Sequence, residues 1–156
     1  MPMNPLPVVN TRLPELRVVV TTKAIIMGAI ASRDWQPLHH DYPWSTSTGG
    51  LPNIVMNYYT QAGWISRYLT DWSGPQGRIA RLKLSMRSSI CPGDELVISG
   101  VIDSLEQESA ERCWVKVSIE MAVGERIATT SQVRMALPAT DSAPSPWSIT
   151  AADWRP

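Results

Sequence analysis

The 156 residues carry 14 basic and 14 acidic side chains, a formal charge of zero, with no basic run or basic face. That balance leaves nucleic acid without an electrostatic footprint to bind. A chain of this length fits one domain and buries a core without metal or disulfide support. The longest apolar run near the start, residues 24–31, is far too short to cross a membrane. The opening Met-Pro-Met-Asn-Pro-Leu-Pro lacks a basic start followed by an apolar core, so no signal peptide and a cytoplasmic protein are expected. Cys91 and Cys113 have no metal-ligand spacing and read as packed thiols.

Residues 1–10 hold three prolines and read as an arm or irregular lead-in. Residues 16–20 are β-branched and apolar, so a first strand is expected there. Thr21 or Thr22 can cap a short helix over residues 24–32. Next comes Ala-Ser-Arg-Asp-Trp-Gln-Pro-Leu-His-His-Asp, residues 31–41. Pro37 disfavours helix at Gln36, so Asp34 and His39 sit on a bent, partly extended loop that can bring a carboxylate and an imidazole together. Held so, they can move protons near neutral pH. On residue types alone, the same pair also reads as a carboxylate orienting a structural histidine.

Residues 41–50 read as a loop with one helical turn. Residues 53–72 then form the one long helix, with Asn53 as N-cap. Its apolar positions make more than one stripe, which predicts burial on most sides. Gly63 within it suggests close approach of another backbone, and the helix stops at Ser73-Gly74-Pro75. Strands follow over residues 79–86, 95–105, 113–121 and 127–137, with turns at Cys91-Pro92-Gly93-Asp94 and Gly124-Glu125. In the third of these, Cys113, Val115, Val117, Ile119 and Met121 share one face, opposite Trp114, Lys116, Ser118 and Glu120. One buried helix followed by an antiparallel meander predicts an α+β fold. A single domain over residues 1–137 precedes a tail, 138–156, too rich in proline and small residues for a strand. That tail is expected to be disordered or to lie over a neighbour, and Trp147 and Trp154 favour the second.

The run Asp34-Trp35-Gln36-Pro37-Leu38-His39 resembles the Asp-x-Asn-Pro-x-His motif of the MaoC-like (R)-specific enoyl-CoA hydratases, with Gln36 at the motif's Asn. Arg33-Asp34, His39-His40-Asp41 and the segment Arg67-Tyr68-Leu69-Thr70-Asp71-Trp72-Ser73-Gly74-Pro75 are similar to the small subunit of the actinobacterial steroid side-chain enoyl-CoA hydratase. The resemblance covers roughly residues 13–137. It implies a hotdog fold, a curved antiparallel sheet wrapped around one central helix. It also implies hydration of a 2-enoyl-CoA thioester, with a steroid or bile-acid side chain as the acyl group. Asp34 and His39 would be the catalytic pair holding one water.

In related enzymes a backbone N–H at the start of the central helix binds the thioester oxygen, and the matching positions are Met56 and Asn57. Asn57 is the expected oxyanion donor through its backbone N–H; its side chain crowds the pocket or adds a hydrogen bond. No cofactor is expected beyond the CoA of the substrate, and no metal: His39, His40 and Asp41 lack a further ligand cluster. Cys91 has no histidine to activate it. Arg67 and Arg87 read as solvated surface residues, with CoA phosphates as the other possibility.

The implied partner is a second, larger MaoC-like subunit, in a heterodimer or a dimer of heterodimers, because one hotdog leaves a sheet edge open. The arm and the tail are expected to lie across it. Two alternatives share the fold. An acyl-CoA thioesterase uses a carboxylate and a helix N-terminus too, and a non-catalytic hotdog subunit would only complete a partner's site.

Overall fold

The computed structural model describes residues 7–155. Strand β1 (Leu16–Val19) precedes helix α1 (Thr22–Ala31), a 3-10 turn at Pro37–His39 and a short helix α2 (Tyr42–Ser47). Helix α3 (Tyr58–Ser73) follows, and then β2 (Arg78–Met86), β3 (Glu95–Gln107), β4 (Arg112–Val123) and β5 (Arg126–Pro138). The five strands form one antiparallel sheet in the order β1-β3-β4-β5-β2. The α+β arrangement expected from the sequence is present.

Local chemistry fixes the turns. Asp94 Oδ2 accepts the Cys91 N–H at 2.8 Å, and Gly93 at φ 92 supplies the left-handed residue that such a turn needs. Gly124 at φ 58 does the same between β4 and β5. Period-two alternation then aims Cys113, Val115, Val117, Ile119 and Met121 into the core, all buried. Against them pack Ile65, Tyr68 and Leu69 of α3, with Ile98 and Ile102 of β3. A fully buried Ile or Leu stabilises by roughly 1.5–3 kcal/mol over its exposed state, so this layer is the main force holding α3 across the sheet. Gly100 lets it approach: a Cβ there would lie 3.2 Å from the Tyr68 ring and hydroxyl.

Several expectations need correction. The long helix begins at Tyr58, not in the Asn53 region, and its N-cap is Asn57. Residues Ile54, Val55 and Met56 are buried but non-helical. Their backbone bonds to other segments: Val55 N–H to Leu38 O at 3.0 Å and Met56 N–H to Ile90 O at 2.9 Å. An apolar triplet can be buried extended as well as helical, and here the ladder to Leu38 and Ile90 decides it. The helix is also less buried than expected. Gln61, Ile65, Tyr68 and Leu69 form one inward stripe, while Tyr58 and Tyr59 are exposed. Gly63 is exposed with nothing near its Cβ position; the close approach is at Gly28 of α1, where a Cβ would overlap Thr60 of α3.

The tail packs against its own chain. It folds back on the sheet face away from α3. Trp154 packs on Trp114 at 5.1 Å between ring centroids. The Arg78 guanidinium lies 3.7 Å from the Trp154 ring centroid and 5.1 Å from that of Trp147, a cation–π arrangement. Trp147 Nε1 donates to Gly77 O at 3.0 Å. Trp114, on the face opposite the core, is thereby buried as well. At the other end, part of the proline-rich arm lies outside the described residues; Asn10 and Leu13 donate to Ile102 O and Gly100 O, against β3.

Candidate active site

Helix α1 stops in a way that delivers Asp34. Arg33 takes φ 56, its N–H bonds to Ile30 O and the Asp34 N–H to Ala29 O, the paired bonds of a Schellman ending. Pro37 then opens the 3-10 turn that carries His39. Asp34 and His39 meet as the sequence reading expected: His39 Nε2 lies 3.2 Å from Asp34 Oδ2. His39 is 6% exposed. Its other ring nitrogen, Nδ1, lies 2.7 Å from Val55 O. A carbonyl only accepts, so Nδ1 carries a hydrogen and donates. Nε2 therefore faces a carboxylate oxygen across a contact that is attractive only with a proton between them.

The carboxylate has a second partner that residue spacing alone does not assign. Asn57 Nδ2 donates to Asp34 Oδ2 at 3.0 Å and to Ser32 Oγ at 2.8 Å. Its Oδ1 accepts the Thr60 N–H at 2.9 Å and the Thr60 hydroxyl at 2.5 Å. Ser32 in turn donates to Gly28 O at 2.8 Å. Asn57 is 2% exposed. Of the two alternatives for its side chain, the added hydrogen bond is the one realised, and it goes to the carboxylate itself. Gln36, in the motif position of the family's Asn, is exposed; only its backbone N–H approaches Asp34, 3.4 Å from Oδ1.

The structure also distinguishes the backbone N–H of Met56 from that of Asn57. The Met56 N–H is taken by Ile90 O. The Asn57 N–H has no protein acceptor among the described residues, and it sits at the start of a 16-residue helix, where unpaired N–H groups and the helix dipole favour negative charge.

Apolar space adjoins these groups. A cavity of about 250 Å³ is lined by Ile26, Ala29, Ile30, Asp34, Trp35 and His40. A cleft of about 500 Å³ between α1 and α3 is bordered by Ser32, Tyr59, Thr60 and Trp64, among others. The remaining candidates lie apart. Asp41 Oδ1 accepts the Trp44 N–H at 3.0 Å as N-cap of α2. Among the described residues no three His, Cys, Asp or Glu side chains gather into a possible metal site. Arg67 pairs with Asp71 and covers the Trp64 ring; Arg87 is exposed. Cys91 and Cys113 are free thiols, both pushed to higher pKa by burial. Among the described residues no helix is long and apolar enough to cross a membrane.

No family model matches the chain. It is 30% identical over 128 residues to the beta subunit of 3-oxo-4,17-pregnadiene-20-carboxyl-CoA hydratase of Mycobacterium tuberculosis, covering 82% of this chain and 96% of that protein. Among solved structures, the ChsH1-ChsH2 complex from Mycobacterium tuberculosis superposes with a TM-score of 0.73 and 28% identity, over 83% of this chain and 98% of that chain. A MaoC-like dehydratase from Rhodospirillum rubrum (TM-score 0.71, 22% identity, 84% and 92% covered) shares the fold. So does the (R)-hydratase from A. caviae involved in PHA biosynthesis (TM-score 0.70, 18% identity, 86% and 100% covered). That fold is the hotdog.

Proposed function

This chain belongs to the MaoC-like (R)-specific enoyl-CoA hydratase family, and from that premise we propose that it adds water to a 2-enoyl-CoA thioester, with Asp34 and His39 as the acid–base pair. The observation that carries the reading is the 3.2 Å contact between His39 Nε2 and Asp34 Oδ2 with Nδ1 anchored on Val55 O, beside an unpaired N–H at the start of α3. One water sits against both side chains. Its oxygen attacks the β-carbon while the pair takes a proton, and a proton returns to the α-carbon on the same face. The pair thus ends the cycle with the proton count it began with. As the C–O bond forms, negative charge moves to the thioester oxygen. The Asn57 N–H meets it there, already oriented and without reorganisation.

The acyl group is taken to be a steroid side chain, because the 30% identical relative is named for a pregnadiene carboxyl-CoA. The partner is taken to be a second, larger MaoC-like chain, because the 28% identical structure is a complex of two proteins. Exposed apolar side chains support an interface beside the dyad: Ile30, Trp35 and Tyr59 are 47%, 66% and 61% exposed. One experiment tests substrate and assembly together. Loss of enoyl thioester absorbance is followed with steroid-, bile-acid- and straight-chain enoyl-CoA esters, for this chain alone and co-expressed with the larger subunit. Turnover of a steroid ester by the co-expressed pair, with little from the chain alone, is the expected result. A monodisperse homodimer with full turnover refutes the heteromer, and no turnover of any ester by either preparation refutes the hydratase.

A further inference from the structure

We propose that the Asn57 side chain is a positioning residue that ties the Asp34 carboxylate to the oxyanion donor, an inference that rests on the hydratase reading above. The orientation of the amide is forced. A backbone N–H can only donate, so the Thr60 N–H at 2.9 Å fixes Oδ1 as the acceptor end, and Nδ2 must face Ser32 and Asp34. Both Nδ2 hydrogens are then used, one on Ser32 Oγ and one on Asp34 Oδ2. At 2% exposure the side chain has little room to turn. The same residue presents the backbone N–H that meets the thioester oxygen. One side chain therefore sets two distances at once. Its cap bonds to Thr60 hold the donor in place at the head of α3, and its N–H hydrogen bond holds the carboxylate that works opposite that donor.

The bond also selects between the carboxylate oxygens. Oδ2 receives both Asn57 Nδ2 and the His39 ring. Oδ1 receives only the long Gln36 N–H contact at 3.4 Å. Oδ1 is thus the oxygen with accepting capacity left for a water. The titratable groups facing Asp34 are His39 and, across the apolar cavity, His40; α1 lines that cavity with Ile26, Ala29 and Ile30, and Asn57 at the head of α3 bonds to the carboxylate.

Two variants separate positioning from capping, because Ser and Asp are both good N-caps. Asn57→Ser keeps an acceptor for Thr60 and loses the reach to Asp34. Asn57→Asp keeps the cap and places a second carboxylate against Asp34. For Asn57→Ser, kcat on the best enoyl-CoA ester is expected to fall tenfold to a hundredfold, with KM within about threefold and the melting temperature within a few degrees of wild type. For Asn57→Asp, the acidic limb of the kcat/KM profile is expected to move to higher pH, since like charges disfavour ionisation. The His39 ring, followed by NMR over the same pH range, is expected to titrate differently from wild type. Wild-type kcat and an unshifted profile in both variants overturn the proposal. The NMR titration reads the coupling without turnover. If Asp34→Asn retains full activity, the hydratase chemistry assigned to the pair fails, while an altered His39 titration in Asn57→Asp still upholds the coupling and an unaltered one overturns it.

Discussion

Replacing Asp34 by Asn removes a charge with almost no change in shape, and the hydrogen bonds around it let the consequence be worked out. In the wild-type chain Oδ2 accepts from Asn57 Nδ2 and faces His39 Nε2 at 3.2 Å. An amide cannot serve both. With its oxygen at that position, Asn57 is satisfied and a neutral His39 ring turns a lone pair toward an oxygen. With its nitrogen there, His39 is satisfied and two N–H donors face each other. One hydrogen bond is lost either way, worth about 0.5–1.5 kcal/mol net. The side chain at position 34 is 21% exposed, so water can reach the orphaned group and the loss belongs at the lower end. At roughly 2–4 °C per kcal/mol for a domain of this size, the melting temperature falls by only a few degrees. Turnover falls much further. Positioned proton transfer contributes about 10²–10⁴ in rate, or roughly 2.7–5.4 kcal/mol at 1.36 per decade. Thermal unfolding and steady-state hydration on one preparation give both numbers. A fold at nearly wild-type stability with turnover within threefold of wild type would remove Asp34 from the chemistry.

Two further predictions follow from the same geometry. A saturated acyl-CoA should release no free thiol above background in a thiol-reagent assay; steady release faster than hydration of the matching enoyl ester would move the chain to the thioesterases. Burial, with a smaller contribution from the Glu15 charge, pushes the Tyr68 phenol from 10.0 up to about 12. The unfolded chain gives up this proton near pH 10 while the fold keeps it, so the stability it contributes is complete below pH 10 and is lost as pH climbs toward 12. Its hydroxyl is buried with no hydrogen-bond partner among the described residues, so Tyr68→Phe should cost little at neutral pH and flatten the alkaline decline in melting temperature. An equally steep decline in Tyr68→Phe would assign that loss to other groups.

What the residues disclosed and what they concealed divide on physical lines. Pro37 and the alternating runs from residue 79 onward act locally, and the loop, the four long strands and the meeting of Asp34 with His39 all follow from them. The start of α3 does not. Ile54, Val55 and Met56 suit a helix and a buried extended segment equally, and only their bonds to Leu38 and Ile90, distant in sequence, choose. The same uncertainty hid the cap: Asn53 and Asn57 are both good candidates by type, and Asn57 wins because Thr60 and Ser32 converge on it. Gly63 invited a packing explanation that belongs to Gly28, since spacing within one helix does not say which side meets α1. The tail offered tryptophans without a target; the target, Arg78 and Trp114, lies on β2 and β4, which only the sheet order brings to either side of β5.

The folded-back tail restricts how this molecule can be joined to anything else. By stacking Trp147 and Trp154 over Arg78 and Trp114, the chain supplies its own cover for that end of the outer sheet face. A second sheet cannot be laid there without first peeling off the C-terminus. The helical side, the β1 and β2 margins and the rest of that face are what the fold leaves for another molecule to approach.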